Sequence, residues 1–239
     1  MATDLNLGAW CVVPAAGRSR RFGGAKPKQY AQIAGQPMLW HTLERLAGHP
    51  RILGLLVVLA SDDREWPVPT QIHGKPVRTV SGGAERSDSV RAGLDALPAE
   101  VAAEDFVLVH DAARPCVAGP AITRLLDSAS VGEGGLLAIP LHDTLKRVDA
   151  ENRVLRTEYR AGLWLAQTPQ MFRRGALSAV LALAQGDAEI TDEASAMERY
   201  AGIHPRIVAG HSSNLKVTTA TDLLVAAAIL TEKGSQWVP

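Results

Sequence analysis

A cluster of basic residues follows the first strand-like segment of the chain. Five of the eleven residues from 18 to 28 are basic, namely Arg18, Arg20, Arg21, Lys26 and Lys28. The segment from Leu5 to Leu43 contains no Asp or Glu, so the charge of this cluster is unopposed and indicates a site for a polyanion. The small residues that precede it allow backbone N–H groups to approach phosphate oxygens; they are Ala15, Ala16 and Gly17. The pattern predicts a phosphate-binding loop, with a solvated basic loop as the alternative.

This loop does not have the spacing of the common phosphate-binding fingerprints. It matches neither the GxxxxGK[ST] loop of kinases and ATPases nor the GxGxxG motif of dinucleotide-binding enzymes. The whole chain has 25 Lys and Arg against 25 Asp and Glu, a balance that argues against binding to nucleic acid or to an anionic membrane surface. Any anion is therefore expected to bind locally, at the basic loop.

The apolar pattern indicates the elements that position this loop. Apolar runs of strand length lie at residues 10–14, 55–59, 106–109 and 136–139. Stretches with helical spacing separate them, with stripes at Leu39, Leu43 and Leu46, then Val90, Leu94 and Leu97, then Ile122, Leu125 and Leu126. This alternation predicts an α/β fold, a Rossmann-like, mostly parallel sheet sandwiched by helices, in a single domain spanning 1–239. Ligands are expected beyond the carboxyl ends of the strands.

Residues 143–167 interrupt the alternation and are expected to form a protruding β-hairpin arm, because two β-prone runs flank the polar stretch 149–152. Asp111 comes directly after a predicted strand, where a carboxylate beside bound phosphate groups is suited to Mg²⁺. Ser87 is the expected N-cap of the helix that carries Val90. Asp192 and Glu193 are interpreted as the acidic start of another helix rather than as a catalytic pair.

Several motifs in order resemble those of the 2-C-methyl-D-erythritol 4-phosphate cytidylyltransferases, a family of the non-mevalonate isoprenoid pathway. The resemblance covers residues 10 to 218. The matching segments are 14–29 (PAAGRSRRFGGAKPKQ), 82–90 (GGAERSDSV), 110–115 (HDAARP), 143–147 (DTLKR), 168–170 (TPQ), 190–195 (ITDEAS) and 214–218 (NLKVT). The resemblance implies a nucleotidylyltransferase that transfers CMP from CTP to methylerythritol phosphate and releases pyrophosphate, with Mg²⁺ as cofactor.

The resemblance also implies roles for individual residues. Arg21 and Lys28 correspond to the family's catalytic cations. The expected nucleotide-binding residues are Ala15, Ala16, Gly17, Gly83, Ser89, Asp111 and Ala112, with Asp111 also as the metal ligand. The expected acceptor-positioning residues are Arg114, Thr144, Arg160 and Lys216. In the family the hairpin arm crosses a two-fold axis, so a homodimer is expected in which Arg160 serves the neighbouring pocket.

Ala84, Ser19 and Phe22 depart from the usual family residues, and Ala84 bears on base recognition. The alternatives to the expected function are a ribitol-5-phosphate cytidylyltransferase, a non-catalytic nucleotide-binding regulator and, more remotely, a dehydrogenase.

Cys11 and Cys116 lack the spacing of a metal site and are expected to be buried thiols. No export signal or membrane span is expected, which predicts a cytoplasmic protein.

Overall fold

The computed structural model describes residues 8–17, 27–65, 67–129 and 132–232. The strands are β1 (Ala9–Pro14), β2 (Gln32–Ile33), β3 (Gln36–Pro37), β4 (Ile52–Leu59), β5 (Gln71–Ile72), β6 (Lys75–Ser81), β7 (Phe106–Val109), β8 (Gly134–Pro140), β9 (Leu145–Val148), β10 (Val154–Glu158), β11 (Trp164–Arg173) and β12 (Arg206–Ala209). The helices are α1 (Met38–Ala47), α2 (Arg86–Asp95), α3 (Gly119–Ala129), α4 (Arg174–Leu183), α5 (Glu193–Ala201) and α6 (Ala220–Thr231), and a short 3₁₀ turn covers Lys28–Tyr30.

Eight strands form the central sheet, in the order β12-β8-β11-β7-β1-β4-β6-β5. β1 pairs in parallel with β4 and β7, β4 in parallel with β6, and β8 in parallel with β12. β11 runs antiparallel between β7 and β8, and the short β5 pairs antiparallel with β6. The predicted mostly parallel α/β sheet is therefore confirmed.

Helices cover both faces of this sheet because the side chains of its central strands alternate between two buried clusters. Along β1, Cys11 and Val13 pack in one cluster with apolar residues of α1 and α3. Val12 belongs to the other cluster, which takes in residues of α2, α4 and α5. At Gly93 of α2, an added Cβ would lie 2.5 Å from Val12 Cγ1, so the absence of a side chain lets this helix approach the sheet closely.

The predicted hairpin is present as β9 and β10, which pair antiparallel in a separate two-stranded sheet. Asp149 shapes its turn, since Oδ1 accepts the backbone N–H groups of Glu151 at 3.0 Å and Arg153 at 2.9 Å. Residues 164–167, which fall inside the predicted arm 143–167, begin β11 and belong to the central sheet. Among the described residues, none of the helices has the length and apolar character needed to cross a membrane.

Candidate active site

A pocket of about 180 Å³ opens at the carboxyl ends of the parallel strands. It lies where β1 leads into the small-residue turn, where β7 leads into the 110–115 motif, and where α2 begins after β6. Its lining consists of Pro14, Ala15, Ala16, Gly17, Lys28, Gln29, Gly83, Ala84, Glu85, Arg86, Ser89, Asp111, Ala112, Ala113 and Lys216. The structure thus brings all seven predicted nucleotide-binding residues together with Lys28 and Lys216.

None of the other predicted site residues that the structure describes lines the pocket. Arg21 lies outside the residues that the structure describes. The Arg114 guanidinium is largely buried and donates to the backbone carbonyls of Asn214 at 2.7 Å and Ala166 at 3.3 Å. Thr144 comes just before β9 and Arg160 shortly after β10. Both are exposed, and neither lines the pocket. Arg160 donates from Nη1 to the carbonyl of His142.

Lys28 lines the pocket and is the first residue of the short 3₁₀ turn. The neighbouring Gln29 is buried, and its Nε2 donates to the carbonyl of Ala15 at 2.8 Å. That bond ties the turn to the end of β1. Lys28 Nζ itself donates to the carbonyl of Val217 at 3.0 Å, which places the ammonium group near the Lys216 segment.

The start of α2 differs from the prediction. Ser87 was the expected N-cap, and this is wrong, since the helix begins at Arg86 and its N-cap is Glu85. The physical reason is that Asp88 Oδ2 accepts the backbone N–H of Glu85, at 3.3 Å, and so fixes the cap two residues earlier. Gly83 is required here because an added Cβ would lie 2.4 Å from the Cβ of Asp88. The buried Ser89 donates to the carbonyl of Glu85 at 3.2 Å.

Asp111 makes polar contacts through its backbone N–H and both carboxylate oxygens. Its backbone N–H donates to Thr168 Oγ1 at 3.0 Å. Its Oδ1 accepts from Arg86 Nε at 3.0 Å, and its Oδ2 pairs with Lys216 Nζ at 2.8 Å. Burial by itself would raise the pKa of this carboxyl, but the charges of Arg86 and Lys216 outweigh it and hold the pKa well below its usual range. Asp111 is therefore ionised at neutral pH.

A partly buried ion pair that the sequence did not indicate lies behind Asp111. Arg86 donates to both carboxylate oxygens of Glu193, from Nη1 at 2.6 Å and from Nη2 at 3.1 Å. Burial opposes the charge of Arg86, but Glu193 and Asp111 raise its pKa above the usual value. Glu193 is the first residue of α5, whose N-cap Asp192 accepts the N–H of Ser195 at 2.9 Å. The predicted helix start is confirmed, and Glu193 has this pairing in addition.

His110 is fully buried beside Asp111 and does not line the pocket. Its Nδ1 lies 3.0 Å from Thr168 Oγ1, and its Nε2 lies 3.1 Å from the carbonyl oxygen of Arg114. Burial lowers the pKa of His110 to about 4, so the imidazole is neutral at pH 7. We therefore interpret His110 as a packing residue.

Comparisons with known proteins match the chain to one family along nearly its whole length. The family model described as IspD, 2-C-methyl-D-erythritol 4-phosphate cytidylyltransferase, matches residues 9–232. Two relatives that carry that enzyme name come from Xylella fastidiosa (strain 9a5c) and Halorhodospira halophila. The first is 50% identical over 222 residues, covering 92% of this chain and 96% of the relative. The second is 51% identical over 229 residues, covering 93% of each.

Solved structures agree with this match. A crystal structure of a 4-diphosphocytidyl-2C-methyl-D-erythritol synthase superposes with a TM-score of 0.78 at 34% identity, covering 94% of this chain and 99% of that one. The 2-C-methyl-D-erythritol 4-phosphate cytidylyltransferase of Francisella tularensis gives a TM-score of 0.78 at 32% identity, covering 93% and 99%. The chain therefore belongs to the 2-C-methyl-D-erythritol 4-phosphate cytidylyltransferases, a family of nucleotidylyltransferase enzymes.

Proposed function

We propose that this protein transfers CMP from CTP to 2-C-methyl-D-erythritol 4-phosphate, giving 4-diphosphocytidyl-2-C-methyl-D-erythritol and pyrophosphate. The observation that carries the proposal is the pocket at the carboxyl ends of the strands, where Lys28 and Lys216 face a turn of small residues and the buried Asp111. Such a pocket combines close backbone N–H groups with cations, which suits a triphosphate. Family membership supplies the identity of the nucleotide and of the acceptor.

In this reaction a phosphate oxygen of the acceptor attacks the α-phosphorus of CTP. The bond from that phosphorus to the oxygen bridging to the β-phosphate breaks, and its electron pair leaves with pyrophosphate. The attacking oxygen is already ionised at neutral pH, so no general base is required. A neutral, buried His110 outside the pocket lining is consistent with this. Catalysis then depends on positioning two anions and stabilising the charge of the transition state.

Two cations carry that stabilisation in our proposal. Lys28, which lines the pocket, acts as a point charge on the α-phosphate. Arg21 acts as a fork across the β- and γ-phosphates; this role is inferred from the sequence motif. Gly83 and Ser89 read the cytosine base, while the backbone of the turn at Ala15–Gly17, with Asp111 and Ala112, holds the rest of the nucleotide.

The acceptor is held by a second group of residues. Lys216 lines the pocket, and we assign it to the acceptor phosphate. We assign the same role to Arg114, whose Nε lies 3.8 Å from Asp111 Oδ2, and to Thr144 and Arg160 on the hairpin arm of a neighbouring copy in a homodimer. Apolar side chains are exposed on the arm, for example Tyr159 at 85%. Their exposure supports an interface with the neighbouring copy at this place. We further propose that the chain is a single domain spanning 1–239 and that the enzyme works in the cytoplasm.

The donor set of the pocket fits a Mg²⁺ ion that is held mainly by the nucleotide. Among the described residues no group of three or more His, Cys, Asp or Glu side chains could hold a metal by itself. Mg²⁺ commonly takes one or two carboxylates together with phosphate oxygens and water. Asp111 is the residue that would supply the carboxylate, and the ion would neutralise charge on the triphosphate.

A pyrophosphate-release assay with CTP, Mg²⁺ and methylerythritol phosphate tests the proposal. We expect release that requires both substrates and that is much slower with ribitol 5-phosphate as acceptor. Equal rates with the two acceptors would contradict the assigned substrate. Binding of CTP without pyrophosphate release from any sugar-alcohol phosphate would instead indicate a non-catalytic regulator.

A further inference from the structure

Arg86 connects the pocket to α5 through three of its five N–H donors. Both terminal nitrogens donate to the two oxygens of Glu193, and Nε donates to Asp111 Oδ1 at 3.0 Å. Arg86 and Asp111 line the pocket, whereas Glu193 does not. The guanidinium therefore bridges a carboxylate in the pocket wall and a carboxylate behind it.

Both carboxylates of this bridge are buried, while the Arg86 side chain is 29% exposed. The side chains of Glu193 and Asp111 are exposed to only 1% and 9%. If Arg86 moved away, two buried carboxylates would lose their shared counter-charge, which is strongly unfavourable. Because Glu193 receives the paired Nη1 and Nη2 donors, it fixes the plane of the guanidinium and thereby the direction of Nε.

The second oxygen of Asp111 has a different kind of partner. Oδ2 pairs with Lys216 Nζ at 2.8 Å, and the Lys216 side chain is 42% exposed. A lysine with that exposure is able to turn towards a phosphate that enters the pocket, whereas Arg86 is held in place by Glu193. Arg86 then keeps Asp111 oriented and partly neutralised beside the incoming triphosphate.

We propose that Arg86 and Glu193 are positioning residues for the nucleotide half of the reaction. Glu193 holds the guanidinium of Arg86, and Arg86 holds the carboxylate of Asp111 in the pocket wall. The inference rests on the proposed function, since it takes the pocket to be the CTP site. It assigns a functional task to two residues that do not themselves act on the reacting phosphates.

Glu193→Gln tests this assignment, because it keeps the shape of the side chain and removes its charge. We expect the KM for CTP to rise about 10- to 100-fold, the range for losing a hydrogen bond to a charged group, while the KM for the acceptor is unchanged. CTP binding measured by calorimetry should weaken in parallel. Glu189→Gln is the matched control, since it makes the same change at a carboxylate that is 73% exposed and pairs with Arg199; it should leave both constants unchanged.

A double-mutant cycle separates positioning from simple loss of packing. Arg86→Lys keeps the charge but cannot hold two carboxylates, so it should raise the KM for CTP as Glu193→Gln does. The double variant should be little worse than either single variant, because both substitutions break the same Arg86–Glu193 connection. If Glu193→Gln is unfolded at the assay temperature, Arg86→Lys alone provides the test.

Three results would overturn the inference: folded variants that bind CTP as the wild type does, single-variant losses that add in the double variant, or equal KM increases for both substrates. Each leaves the proposed function intact, provided that the wild type is active. Wild-type protein that neither binds CTP nor releases pyrophosphate would overturn the proposed function together with this inference.

Discussion

Lowering the pH from 7 to 5 should destabilise this protein through His110. The pKa of His110 is lowered by burial from 6.5 to about 4, with the nearby charge of Arg114 acting in the same direction and Asp111 opposing it. The unfolded chain therefore binds a proton between these two values that the folded protein does not bind. Stability is fully present above pH 6.5 and is lost as the pH falls towards 4.

The size of the effect follows from the two pKa values. Linkage predicts that His110 alone removes about 2 kcal/mol of unfolding free energy between pH 7 and pH 5, and about 3 kcal/mol by pH 4. Asp111 does not interfere in this window, because its carboxyl has a pKa well below the usual range. His49, whose pKa burial also lowers, adds a loss of the same sign. A comparison with a His110 variant is therefore needed.

Urea unfolding at pH 7, 6 and 5, at one protein concentration, measures this loss in the wild type and in His110→Gln. The variant is expected to be less stable at pH 7, because two buried hydrogen bonds are changed, but its stability should depend less on pH. The difference between the two pH dependences should be about 2 kcal/mol over the window. Parallel curves for the two proteins would refute the reasoning and would mean that the folded protein accepts a proton at this site.

Three further predictions concern catalysis, packing and thiol reactivity. Lys28→Ala should slow pyrophosphate release about 10²–10³-fold with only a small fall in melting temperature, from the lost hydrogen bond to Val217, and a loss of rate below about 10-fold would argue against its charge-stabilising role. Gly93→Ala should lower the free energy of unfolding by about 1–3 kcal/mol, measured in urea, because the added Cβ would lie 2.5 Å from Val12 Cγ1; an unchanged midpoint would show that α2 can shift at no cost. Cys11 and Cys116 are buried, and burial raises the pKa of both thiols, that of Cys116 to about 11. Both should resist a disulfide-exchange reagent at pH 8 in the native protein and react after unfolding in guanidinium, and rapid native reaction would contradict their burial.

Although the largely exposed β6 and β12 were not among the predicted strands, β1, β4, β7 and β8 could be predicted from the sequence because they are apolar on both faces. The antiparallel strand β11 could not. Its middle carries the polar residues Gln167, Thr168 and Gln170 around Pro169, and the peptide before that proline is cis. The polar side chains are nonetheless buried, and they satisfy backbone groups; Gln170 Oε1, for instance, accepts the N–H of Ala194 at 2.8 Å. Hydrophobic periodicity carries no signal for a strand of this kind.

The same contrast applies to the candidate site. The carboxyl ends of parallel strands meet at one edge of the sheet, so local motifs were enough to bring Asp111 and Lys28 to one pocket. The pairing of Arg86 with Glu193 joins residues that lie 107 positions apart, and no local spacing reports it. A buried Glu at the start of a helix looks in sequence like an ordinary helix-dipole acid.

The insertion of β11 between β7 and β8 also bears on how the protein is synthesised. β1, β4, β6 and β7 all come from the first 109 residues, and they pair directly with one another, so this half of the sheet can assemble while the ribosome is still translating. β8 is joined to that half only through β11, which ends at residue 173. Thr168, the support for the Asp111 backbone, arrives with the same late segment. A nascent chain therefore presents the open edge of β7 to chaperones until β11 has left the ribosome, and its pocket stays unfinished until Lys216 follows.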